Sequence, residues 1–181
     1  DPDILMIGEN RDEETAEIAV EAAMTGHQVL STMHCNDAAG AIARLDDMGI
    51  APFLISSSVI LACAQRLMRR VCSVCKEPVT YPPKMYEDLD IDPKLFEGVV
   101  LHRGRGCDRC KNSGYARRAA IIEVMTVTDE IRKMIIERKS AMEIGKLAGQ
   151  QSMRTLRMVA LDKAREGLST LEQVLVLTSS H

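Results

Sequence analysis

Tryptophan is absent from the 181 residues, and aromatic side chains number only three Tyr and two Phe. Any core must therefore be aliphatic, built from Leu, Ile, Val, Met and Ala, which suits helices packed on a sheet. No segment approaches the run of about 18 apolar residues that a membrane span requires. The first residues also lack the basic region and apolar stretch of a signal peptide, so the chain reads as cytosolic. Basic excess is missing too: 23 Lys and Arg stand against 26 Asp and Glu, for a net charge of −3 and a pI near 5.8. A nucleic-acid surface demands the opposite balance, so this class of partner is excluded. There is no internal repeat, no low-complexity tract and no Gly/Ser linker, so the modules are expected to pack closely. Nor is there an initiator Met; Asp1-Pro2-Asp3 runs straight into an apolar strand, as in a piece of a larger protein.

What is present begins as α/β. Residues 4–7 form an apolar run closed by Gly8, without alternation, as expected of a strand buried on both faces of a parallel sheet. Residues 12–25 keep Ala16, Ala19, Val20 and Ala23 on one helical face, with acids at the start and Gly26 past the end. A second strand at 29–33 breaks at His34-Cys35-Asn36-Asp37, before a helix over 38–48 that Gly49 terminates. Pro52 is expected to open a longer helix through Leu54, Ile55, Ile60, Leu61 and Leu67, its end marked by Arg66, Arg69 and Arg70, where basic side chains suit the helix dipole. Cys63 in that helix reads as buried packing. Residues 72–125 are rich in proline and charge and read as a small loop-built module. Beyond them, Ser140 with Glu143 and Ser169 with Glu172 fit capping boxes and Gly167 a helix stop, which predicts a small helical bundle. The expected division is 1–71, 72–125 and 126–181.

Cys72, Cys75, Cys107 and Cys110 form two C-x-x-C pairs. Each pair brings two thiolates within reach of one ion, and Zn²⁺ accepts four sulfurs in a tetrahedron. Free thiols or a disulfide are the competing reading, and two such pairs in one cytosolic chain favour the metal. Four thiolates leave no open position for water, so the expected role is structural.

An apolar strand ending in Gly8-Glu9, followed by Arg11-Asp12, places a carboxylate at the carboxyl end of a strand, where ligands of open α/β sheets bind. In a parallel sheet His34, after the next strand, would share that edge. The plain alternative for both is a surface loop residue.

The segment DPDILMIGENRDEETAEIAVEAAMTGHQVLSTMHCNDAAG, then AQRLMRR, then the paired cysteines, resembles the type II secretion and type IV pilus assembly ATPases along essentially the whole chain. The resemblance implies the C-terminal part of a RecA-like P-loop ATPase domain over 1–71, followed by the tetracysteine module and a helical domain. It makes Gly8 and Glu9 part of a Walker B motif with Glu9 catalytic, makes STMH a histidine box with His34 near the terminal phosphate, and puts Gly8, Arg11 and Thr32 at the nucleotide. It implies ATP and Mg²⁺ beside Zn²⁺, a homo-hexamer and an inner-membrane platform protein as partners, and a place at the cytoplasmic face of the inner membrane. The tetracysteine module is similar to that of the assembly and export branch rather than the retraction branch. No Gly-rich loop with its Lys occurs in these residues, so the chain by itself is expected not to hydrolyse ATP. Asn10, Cys35 and Gln28 depart from the pattern, and Ala116 to Glu123 lack glycines usual there. A zinc-stabilised protein-interaction module without enzymatic activity is the alternative reading.

Overall fold

The computed structural model describes residues 2–178. Two compact units share the chain: the first takes in residues 1–64 and 123–154, the second 65–122 and 155–181.

In the first unit, β1 (Ile4–Ile7) leads into α1 (Glu13–Met24), whose N-cap Asp12 accepts from the Thr15 amide. Strand β2 (Gln28–Ser31) returns parallel to β1, with Ile4 opposite Gln28 and Ile7 opposite Ser31. The right of passage for a parallel crossover is a helix between the strands, and α1 supplies it. Ile4, Met6 and Leu30 stand on the outer face of this pair and are exposed, Met6 at 77%. Burial on both faces, expected from the unbroken apolar run, is thus met on one face only among the described residues: Leu5, Ile7 and Val29 are half-buried and the other face is open.

Helix α2 (Ala38–Asp47) and α3 (Pro52–Ser58) follow. The long helix expected from Pro52 ends at Ser58 instead. Ser56, Ser57 and Ser58 turn their hydroxyls back onto the carbonyls of Phe53 and Leu54, and Val59 is extended. Strand β3 (Leu61–Val71) then buries Ala62, Ala64 and Met68 on one side and exposes Leu61, Cys63, Leu67 and Arg69 on the other. Cys63 is therefore an exposed strand residue, not a buried helical one. The arginines of this stretch likewise lie on a strand, so the helix-dipole reading of Arg66, Arg69 and Arg70 falls away.

In the second unit, β4 (Lys76–Pro78) precedes α4 (Pro83–Asp88) and a 3-10 turn at Pro93–Phe96, and β5 (His102–Gly104) comes back antiparallel to β4. The proline-rich segment is not merely loop: Tyr81, Leu89, Phe96 and Leu101 are buried, and the Tyr86 and Phe96 rings meet at 5.9 Å. After a 3-10 turn at Asp108–Cys110, strand β6 (Tyr115–Thr126) pairs with β3, and the division between units falls within both strands.

The four tail helices do not make one bundle. Helices α5 (Asp129–Ile136) and α6 (Ala141–Gln150) belong to the first unit, where α5 packs on α3 and α6 on α2. Helices α7 (Leu156–Arg165) and α8 (Leu171–Thr178) pack on each other in the second. The Ser140–Glu143 capping box is present with both reciprocal bonds. At α8 the Thr170 hydroxyl, not Ser169, accepts from the Gln173 amide, while Ser169 donates to the Arg69 carbonyl at 2.7 Å.

The core of the first unit gathers Ala16 and Val20 of α1, Ile42 and Leu45 of α2, Ile55 of α3, Met125, Ile131 and Ile144, with no aromatic ring among its buried members. Alanines at the contacts let the helices approach closely, which an aromatic-poor chain needs to fill its interior.

Candidate functional site

The two C-x-x-C pairs converge in the second unit, and all four Sγ atoms lie within 4.8 Å of one another. Cys72 and Cys107 are 3.9 Å apart, Cys75 and Cys110 3.8 Å, Cys107 and Cys110 3.7 Å. A tetrahedron with Zn–S bonds of about 2.3 Å has edges of about 3.8 Å, so the sulfur cage has the size of a Cys₄ zinc site. The Gly106 amide donates to Cys75 Sγ at 3.3 Å and the Cys107 amide to Cys110 Sγ at 3.2 Å, the kind of support a thiolate cluster requires.

These environments split the thiols. Burial works to raise Cys110, but the amides of Cys107 and Gly114 and the neighbouring thiols outweigh it and hold the group down at about 6. The Val74 amide lowers Cys72, while burial pushes Cys75 up to about 11.

Gly104 and Gly114 make the convergence possible. A Cβ on Gly104 would collide with the Gly114 carbonyl, and Gly114 itself sits at φ +74°, with its carbonyl taking the Cys72 amide at 2.9 Å. Backbone lies against backbone here, which only glycine permits. Spacing around the cysteines gives no sign of this pair, because glycines abound in loops for other reasons.

The second constellation lies at the carboxyl ends of β1 and β2 in the first unit. Because Ile7 pairs with Ser31, Gly8 and Thr32 come side by side. Thr32 Oγ1 donates to the Gly8 carbonyl at 2.6 Å, and the Asn10 amide donates to the Thr32 carbonyl at 2.8 Å. This clasp sets the Glu9 side chain, 21% exposed, beside Arg11 and His34. Arg11 Nε donates to Glu9 Oε2 at 2.7 Å, and His34 Nε2 lies 2.9 Å from Oε1. The His34 contact has ion-pair distance but not hydrogen-bond alignment, so the buried Oε1 accepts no hydrogen bond. One oxygen of the carboxylate is held in place and the other keeps its lone pairs.

Asn10, at 7% exposure, also has a buried Oδ1 without a donor. Cys35 is half-buried, and burial pushes its thiol up, against a smaller opposing pull from Arg44. Arg69 stacks over the Tyr115 ring at 4.6 Å and donates to Gln173, a structural role inside the second unit.

A family model described as type II/IV secretion system protein matches residues 1–176. The type IV pilus assembly ATPase PilB of Thermus thermophilus is 51% identical over 178 residues, covering 98% of this chain and 20% of that protein. The type II secretion system ATPase E of Vibrio cholerae is 44% identical over 182 residues, covering 98% of this chain and 35% of the other. Among solved structures, the pilus retraction motor PilT with bound ADP overlays at a TM-score of 0.66 and 22% identity, over 99% of this chain and 40% of that one, a likeness of fold. The chain thus spans between 20% and 35% of the length of these two curated relatives.

Proposed function

The chain belongs to the type II/IV secretion system protein family, and from that premise we propose that it is the C-terminal part of a motor ATPase that couples ATP hydrolysis to type IV pilus assembly or type II secretion. The observation that carries the reading is the Glu9–His34 pair at the carboxyl ends of two parallel strands, where one Glu9 oxygen is anchored by Arg11 and the other lies 2.9 Å from His34 Nε2.

In this reading β1 and β2 are part of a RecA-like sheet. Glu9 would orient the attacking water and take its proton. Arg11 keeps the carboxylate from turning away, and His34 would stand near the terminal phosphate. Gly8 and Thr32 clasp the strand ends so that Glu9 points to the nucleotide. ATP would supply the bond to be broken, and Mg²⁺, when bound, would neutralise phosphate charge, the larger part of catalysis in this reaction class. These 181 residues hold no Gly-rich loop with Lys to cradle phosphates, so we assign no hydrolysis to the chain alone.

Cys72, Cys75, Cys107 and Cys110 would hold Zn²⁺ as a structural clamp. The complete protein would be a homo-hexamer at the cytoplasmic face of the inner membrane, working on an inner-membrane platform protein. Relatives named for pilus assembly and type II secretion support the extending or exporting role, and among the described residues no helix is long and apolar enough to cross a membrane.

The test is steady-state ATP hydrolysis by the complete protein. Glu9→Gln should lower kcat by about 10²–10⁴-fold, the usual range for losing a general base, with His34→Ala also reducing it. A kcat unchanged in Glu9→Gln would remove the assignment.

A further inference from the structure

The His34 ring is 93% exposed, so side-chain packing does not hold it beside Glu9. Its position must come from the backbone on either side. Upstream, Thr32 is bound twice, through its hydroxyl to Gly8 and through its carbonyl to Asn10, and Met33 packs against the core of the first unit. Downstream, residues 35–37 are neither helix nor strand, and α2 begins at Ala38.

Two helices of this unit, α2 and α3, open without an acid in the first turn. Helices α1, α5 and α6 carry acids in their first turn, but α2 opens Ala38-Ala39-Gly40 and has none. A carboxylate reaches it from elsewhere: Glu123 of β6, 85 positions away, accepts the Ala38 amide at 2.8 Å through Oε1. Glu123 is only 4% exposed and Ala38 wholly buried. Asp37 takes the Gly40 amide at 2.7 Å, so two carboxylates share the helix terminus, one local and one delivered by a strand. A charge-assisted bond in a buried setting is worth more than an exposed cap, and burying a carboxylate is costly unless such a bond answers it.

We infer that Glu123 is a positioning residue for His34: its bond to the Ala38 amide fixes the downstream end of the segment whose upstream end is clasped to Gly8, so that the His34 imidazole stays against Glu9. Its bearing on hydrolysis rests on the function proposed above; the anchoring itself does not.

The decisive experiment is two-dimensional NMR of the histidine rings in this 181-residue chain, at one fixed pH, for wild type, Glu123→Leu and Glu123→Gln. Leucine fills the space without an acceptor, while glutamine retains a carbonyl oxygen for the Ala38 amide. The expected result is a displaced His34 ring signal in Glu123→Leu, a near-native one in Glu123→Gln, and unchanged His27 and His102 signals in both. In the complete protein, Glu123→Leu should then lower kcat by about tenfold to a hundredfold through misplacement, and Glu123→Gln should restore most of it. An unmoved His34 signal in Glu123→Leu, equal displacement in both variants, or movement of all three rings together would overturn the inference. A normal NMR result with no effect of Glu9→Gln on kcat would instead remove the ATPase role and leave the anchor standing.

Discussion

The Tyr81 hydroxyl donates a 2.7 Å hydrogen bond to Glu172 Oε2, tying the segment between the two cysteine pairs to helix α8. Burial first, and the bond to Glu172 second, raise the Tyr81 pKa above its ordinary value. A raised folded-state pKa means that the phenol's contribution is complete below about pH 10, the unfolded value, and is lost as pH climbs from there towards the folded value. Tyr81→Phe should cost about 1.5–3 kcal/mol at neutral pH, the range for a bond to a charged acceptor. Urea titrations from pH 7 to 11 should show wild type losing stability above about pH 10 more steeply than the variant. Equal slopes would mean that the phenol titrates freely.

Metal removal is the next check. About one zinc per chain is expected by plasma mass spectrometry from a single four-thiolate cage, with four thiols released on chelation and a lower melting temperature. Gly104→Ala should reproduce the metal-free melt without touching a ligand, because its methyl group meets the Gly114 carbonyl and pushes the two knuckles apart. Metal-free protein with an unchanged melt would sink the zinc assignment.

Asn10→Leu should stabilise the chain by about 1 kcal/mol, since it removes a buried carbonyl that has no donor and replaces it with an apolar group of similar shape that needs none. A chemical denaturation midpoint that falls instead would show that Oδ1 is satisfied in solution.

Arg117 stands at φ +68° inside β6. A non-glycine residue in that region costs roughly 1–2 kcal/mol, and glycine's extra freedom in the unfolded chain returns about half of it. Arg117→Gly is therefore expected to raise stability by about 0.5–1 kcal/mol, measured by thermal or urea unfolding. A loss of stability would indicate that the arginine side chain is bound.

Local features were legible in the sequence and long-range ones were not. Asp12 and the alanine face of α1, the Gly49 stop, the Ser140–Glu143 box and the cysteine pairs all declare themselves within a few residues. Strand β3 did not, because Ala62, Cys63 and Ala64 are small enough to blur a period of two, and Leu61, Leu67 and Met68 also satisfy helical spacing. Periodicity found the tail helices but could not tell that α6 packs on α2 while α7 packs on α8. The nearness of His34 to Glu9 followed from treating two strands as parallel neighbours; the Glu123 bond to Ala38, across 85 positions, left no local trace.

The division of the chain has a genetic consequence. Each unit is made of two stretches of sequence, and the backbone passes between units at residues 64–65, 122–123 and 154–155. No single cut separates a complete unit from the other, so a terminal deletion that removes residues 123–181 strips α5 and α6 from the first unit and α7 and α8 from the second in one stroke. The cysteine-bearing stretch 65–122 sits between two parts of the first unit, yet excising it would cut β3 and β6 in mid-strand and take from α8 the Tyr81 hydroxyl whose hydrogen bond Glu172 accepts, so the stretch cannot be removed alone without damage to both units.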